Sequence, residues 1–168
     1  MKAIEAADYL VRKSLALDER VSKIKLHKLL FFAQEEFLYR FEKPLFDDEI
    51  VAETHGAFVP SVAQEIKGRF KDPDGFEGEG LIDESILPTP AVCQNPEKDV
   101  LDFILLEYGN KTQAYLVRLN HTYQIWKDAA KDKSIITKKS ILHYKKQCEL
   151  VKQRSSKHAR DFMERSGL

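Results

Sequence analysis

The chain is expected to be mainly α: a single-domain helical bundle around one central apolar helix at about residues 23–42, with a short β-strand or hairpin near 49–54. Three observations lead there. Leu26, Leu29, Leu30, Ala33 and Phe37 form one helical face. Phe31, Phe32, Leu38 and Phe41 extend it most of the way round, which is the pattern of a helix enclosed by others. Finally, 168 residues with 43% apolar and 32% charged side chains suit one soluble globular domain.

The elements follow in order. Ile4, Ala7, Val11 and Leu15 recur at helical spacing and predict a first helix over 2–17. Ser22 is a good N-cap for the central helix, and Val21 and Leu26 stand where a hydrophobic staple closes. Pro44 pushes Lys43 out of helical geometry and ends that helix. Residues 49–54, with Ile50 and Val51, alternate weakly and read as a short strand. Gly56 marks a turn, and Pro60 suits the first position of a helix running to about Phe70, with Val62 and Ile66 as its stripe.

Residues 71–94 hold Asp72-Pro73-Asp74-Gly75, Gly78, Gly80, Pro88 and Pro90, so they read as a long connection. Leu81-Ile82 and Ile86-Leu87 are candidates to pair with the 49–54 segment. Asn95 is the expected cap of the next helix and Pro96 its first residue; the inward face is Leu101, Ile104, Leu105 and Tyr108, and Gly109 stops the helix in left-handed geometry. Thr112 caps a further helix to about Leu119, and a last one begins near Thr137 or Ser140. The stripe of that last helix is thin (Ile141, Tyr144, Cys148, Val151), and beyond Lys152 it is polar.

Net charge is zero by cancellation. Residues 127–168 hold 12 Lys/Arg and 5 Asp/Glu, or +7, and residues 1–126 hold 15 and 22, or −7. The segment 47–107 alone, with 4 against 15, carries −11. Such polarity steers partners or simply solvates two faces. No apolar run reaches the roughly 20 residues of a membrane span. The start, Met1-Lys2-Ala3-Ile4-Glu5, has no apolar signal core, and Cys93 and Cys148 lack metal-ligand spacing, so a cytoplasmic location with reduced thiols is expected.

Four ordered blocks resemble the Panacea domain, the SocA-like antitoxin or phage-associated family. They are the helix at 25–34, Lys43-Pro44-Leu45-Phe46, the turn at 55–62, and the stretch 101–126 ending in His121-Thr122-Tyr123-Gln124-Ile125-Trp126. The sequence departs from the pattern at Thr54-His55, at Ala57 and at Ile125, where the family carries an aromatic residue, a proline and a proline. The resemblance implies a domain over 1–145, with 146–168 as its basic C-terminal helical extension. It also implies a non-enzymatic antitoxin of a toxin–antitoxin system, which neutralises a cognate toxin encoded nearby by direct binding and occlusion, with no cofactor.

Candidate partner-binding residues are His55, Phe58, Phe76, Tyr123 and Trp126, since aromatic side chains anchor interfaces. Trp126 is either such an anchor or a half-buried lock on the 121–126 loop, and Phe58 is either core or contact. No catalytic or metal set is assigned: His27, His55, His121, His143 and His158 are not paired at ligand spacing. His27 is expected to be a satisfied, partly buried side chain. Two other readings stand beside the antitoxin. One is a nucleic-acid-associated regulator using the basic C-terminal helix; the other is a hydrolase built on His55 and His121, which would need both imidazoles in one pocket.

Overall fold

The computed structural model describes residues 1–19, 21–66 and 94–166, with side chains to residue 157. Among these residues there are seven helices and one two-stranded sheet, so the fold is mainly α. The helices are α1 (Ala3–Ala16), α2 (Lys23–Phe41), α3 (Pro60–Glu65), α4 (Asn95–Tyr108), α5 (Gln113–Thr122), α6 (Gln124–Ala129) and α7 (Lys138–Ser166). The strands are β1 (Val51–Glu53) and β2 (Gly56–Phe58).

Helix α2 is the axis of the molecule. It packs on α1, α4, α5, α7 and β2. Its apolar side chains from Leu26 to Leu38 are buried, as a helix apolar on nearly all sides requires. Ser22 caps it, its Oγ accepting from the Lys25 N–H at 3.1 Å. Glu42, at φ 53°, ends it in left-handed geometry. Buried Gln34 then directs the returning chain. Its Oε1 accepts from the Leu45 and Phe46 N–H groups at 2.9 and 3.1 Å, and its Nε2 donates to the Phe46 carbonyl at 3.0 Å. One amide thereby satisfies three backbone groups that would otherwise be buried without partners.

The predicted strand near 49–54 is β1, and the residues read as a turn after it form β2. The two pair antiparallel, with Val51 opposite Phe58 and Glu53 opposite Gly56. The outer edge of β1 is covered by the extended segment 134–136: Ala52 N–H donates to the Ser134 carbonyl at 3.1 Å, and Ile136 N–H to the Ile50 carbonyl at 2.8 Å. Covering an edge in this way removes exposed ladder groups. The pairings expected of Leu81-Ile82 and Ile86-Leu87 lie outside the described residues.

Several local expectations are corrected. Helix α3 stops at Glu65 rather than near Phe70. The N-cap of α4 is Gln94, with Asn95 already helical; Gln94 N–H donates to Glu97 Oε2 at 3.1 Å. Gly109 is right-handed, at φ −57° and ψ −43°. Space is the reason for glycine there, because a Cβ would come within 2.8 Å of Glu19 Oε2 and overlap the Leu105 carbonyl. Residues 124–126, read as part of the 121–126 loop, open α6, which runs to Ala129. Thr112 caps α5, its Oγ1 accepting from Tyr115 N–H at 3.2 Å. Thr137 Oγ1 accepts from Ser140 N–H at 3.1 Å at the start of α7.

Candidate functional site

The hairpin tip is held by polar side chains from two helices. From α2, Lys28 is only 2% exposed and donates from Nζ to the Ala57 carbonyl at 2.7 Å. From α5, fully buried Asn120 accepts from the Ala57 N–H at 2.5 Å. Both polar groups of one strand residue are thus taken by side chains. Between these two side chains lies Gly56, at φ 101°. A Cβ on Gly56 would overlap Asn120 Oδ1 and come within 2.8 Å of Lys28 Cε. Next along α2, His27 Nδ1 accepts from the Val59 N–H at 3.3 Å, and its ring lies 4.2 Å from that of Phe58.

Burial sets the electrostatics. Desolvation pushes Lys28 down to about 7, close to losing its charge at neutral pH. Burial, with Lys28 and Lys23 adding to it, drives His27 down to about 3, so that imidazole is neutral. His27 is fully buried rather than partly so, and its Nε2 has no hydrogen-bond partner among the described residues. The reason is its place on a helix enclosed on all sides.

His121 stands beside this clamp. It stacks on Trp126 with ring centroids 4.0 Å apart and an interplanar angle of 15°. Burial lowers its pKa first, then the Lys28 charge; a hydrogen bond to the Thr54 backbone raises it, and His55 lowers it again. His55 and His121 are thus electrostatic neighbours, as the third block and the fourth come together at the hairpin. Asn120 Nδ2, His121 Nε2 and Trp126 Nε1 are buried atoms with no hydrogen-bond partner among the described residues.

A second cluster lies where α2, α4, α7 and the α5–α6 junction meet. Glu35 is 2% exposed and burial raises it to about 7, against the pull of Lys145. Its Oε2 is 3.3 Å from the Tyr123 hydroxyl and 3.6 Å from Lys145 Nζ, while Oε1 has no hydrogen-bond partner among the described residues. Lys145 also reaches Glu36 and Glu149, at 3.3 and 3.7 Å. Tyr123 packs edge-on against Phe31 at 5.6 Å and lies 4.8 Å from the Tyr144 ring. Its hydroxyl is pushed up by burial and by Glu35.

The candidate partner-binding residues therefore separate. His55 and Trp126 lie by the hairpin tip, Phe58 leans on His27, and Tyr123 faces α7. All four are half-buried. Phe76 lies outside the described residues. Lys28, Glu35 and Asn120 were not singled out from the sequence. A signal for two of them existed: a charged residue inside a run that is apolar all round must be buried. Asn120 carried none, because its role depends on a strand 63 residues away in sequence. Among the described residues no group of three or more His, Cys, Asp or Glu could hold a metal ion, and no helix is long and apolar enough to cross a membrane.

No curated protein and no solved structure matches the chain. A family model described as antitoxin SocA-like, Panacea domain, matches residues 26–127, more than half of the sequence. That span opens in α2, takes in the hairpin and its clamp, and closes just after Trp126. The chain belongs to the SocA-like antitoxin, Panacea domain family.

Proposed function

We propose that this protein is the antitoxin of a toxin–antitoxin pair, acting in the cytoplasm without catalysis, by binding its cognate toxin and covering the toxin's working surface. The observation that carries this reading is the family match over 26–127, which supports an antitoxin role and implies a toxin partner. The match covers the clamped hairpin and the two elements that clamp it. Occlusion needs a rigid face rather than reactive groups, because interface energy concentrates in a few well-held anchors.

In this reading His55, Phe58, Tyr123 and Trp126 contribute to the contact, with Phe76 alongside them from the sequence. The side chains behind them support it: Lys28 and Asn120 fix the hairpin, and His121 backs Trp126. Residues 1–145 act as the antitoxin domain and 146–168 as its extension.

The test is to express the reading frame adjacent to this gene with and without the chain. Growth arrest on its own, relief on co-expression and a co-purifying complex are expected. In that complex His55→Ala with Trp126→Ala is expected to weaken binding by about 30-fold, the size of one hot-spot anchor. A harmless neighbour that forms no complex rules the reading out.

A further inference from the structure

Helix α7 changes character along its length. Its first turns are held by the body. Ile141 is fully buried, Tyr144 lies over Tyr123, Lys145 spans Glu35 and Glu36, and Lys146 pairs with Glu42. From Leu150 to Lys157 every residue is exposed. Eight consecutive exposed positions cover more than two turns, so no side of this stretch lies against the body. A helix in water without tertiary contact is marginal, since most helical stability comes from packing one face.

What the stretch presents is specific. Leu150 and Val151 are 47% and 60% exposed. Arg154 and Lys157 follow one and two turns after Leu150 on its side of the helix, with no acid from 150 to 157, while Lys152 lies on the opposite side and pairs with Glu149 at 2.9 Å. Aliphatic side chains beside cations fit a protein surface that offers both carboxylates and an apolar recess. A phosphate backbone would use the cations and leave Leu150 and Val151 without a role. With a net charge of zero over the whole chain, the +3 of residues 150–157 leaves −3 for the rest, so this arm presents to a partner the sign that the rest of the chain lacks.

We propose that residues 150–157 of α7 are a docking arm for an acidic surface of the partner toxin, with Leu150 and Val151 as apolar contacts and Arg154 and Lys157 as the charge contacts. This rests on the antitoxin reading above and adds a second contact to it, on a different element from the hairpin. The anchoring of Ile141 and Lys145 sets the arm's direction before binding, which lowers the ordering cost.

The test uses the product of the adjacent reading frame as probe, against the full chain, a chain ending at Glu149, and the Arg154→Glu/Lys157→Glu variant. Urea midpoints confirm that each variant is folded. Binding is expected to weaken about tenfold or more in both variants at low salt, with the gap narrowing at 0.5 M salt as charges are screened. Equal affinity in all three proteins overturns the arm and leaves the antitoxin reading standing. Arm-dependent binding of a 20-base-pair DNA duplex, with no arm dependence toward the protein probe, also overturns it. Absence of any complex with the full chain overturns the antitoxin reading itself, and the arm with it.

Discussion

Gly56 is the residue at which backbone and clamp meet. Its φ of 101° is one that side-chain-bearing residues rarely adopt, and the space beside it is filled by Asn120 and Lys28. Gly56→Ala therefore combines strain with overlap. It is expected to destabilise the fold by about 2 kcal/mol or more, read as a shift of the urea midpoint at unchanged slope. Lys28 makes the clamp pH-sensitive. Its folded pKa, about 7, lies below the usual 10.5, so the folded chain binds fewer protons than the unfolded chain between those values. Stability from this group is present in full above pH 10.5 and is lost as pH falls through about 7. Lys28→Met is expected to flatten the rise in stability between pH 7 and 10, measured by urea unfolding across that range. An unchanged slope in the variant would show that burial does not perturb this lysine.

At the scale of elements, α2 and α7 meet over a buried acid. Glu35 has the opposite sign of linkage: burial raises its folded pKa to about 7 from 4.5. The folded chain holds that proton longer, so stability is greatest below pH 4.5 and falls as pH rises to about 7. Glu35→Gln removes the titration, and the native protein is expected to lose stability relative to this variant between pH 5 and 7. Parallel curves for the two proteins would count against a buried, ionisable Glu35. Lys145 limits the loss by pairing with the charged form, and Tyr123 donates to the same oxygen. The hairpin shows how much an element can owe to its surroundings. Two three-residue strands are too short to stand alone, and here one strand is fastened by Lys28 and Asn120 and the other edged by residues 134–136.

At the scale of the molecule, the fold is a shell of helices on α2 with one helix extending past it. Residues 150–157 are all exposed, so removing everything after Glu149 is expected to change the free energy of unfolding, measured with urea, by no more than about 0.5 kcal/mol. A larger loss would mean that the end of α7 supports the body. The charge division of the sequence becomes spatial here: the basic excess lies largely on α7 and the segment before it, and the acidic excess lies on the rest.

The sequence by itself determined the helical class, the central place of α2, its Ser22 cap, the Thr112 cap and the strand near Val51, and it left the start of α7 between Thr137 and Ser140. Each depends on spacing or on a side chain within three or four residues, and local physics of that range is written in order along the chain. Family blocks added the antitoxin class. Only the tertiary structure decided that Lys28 and Asn120 close on one residue of β2, that His121 stacks on Trp126, that residues 134–136 border β1, and that Glu35 lies beneath α7. It also showed why Gly109 must be glycine: space is needed there rather than a left-handed turn. These contacts join residues tens of positions apart. A lone Asn or Glu looks the same on a solvated face as in a buried clamp until the packing of helices removes the water around it.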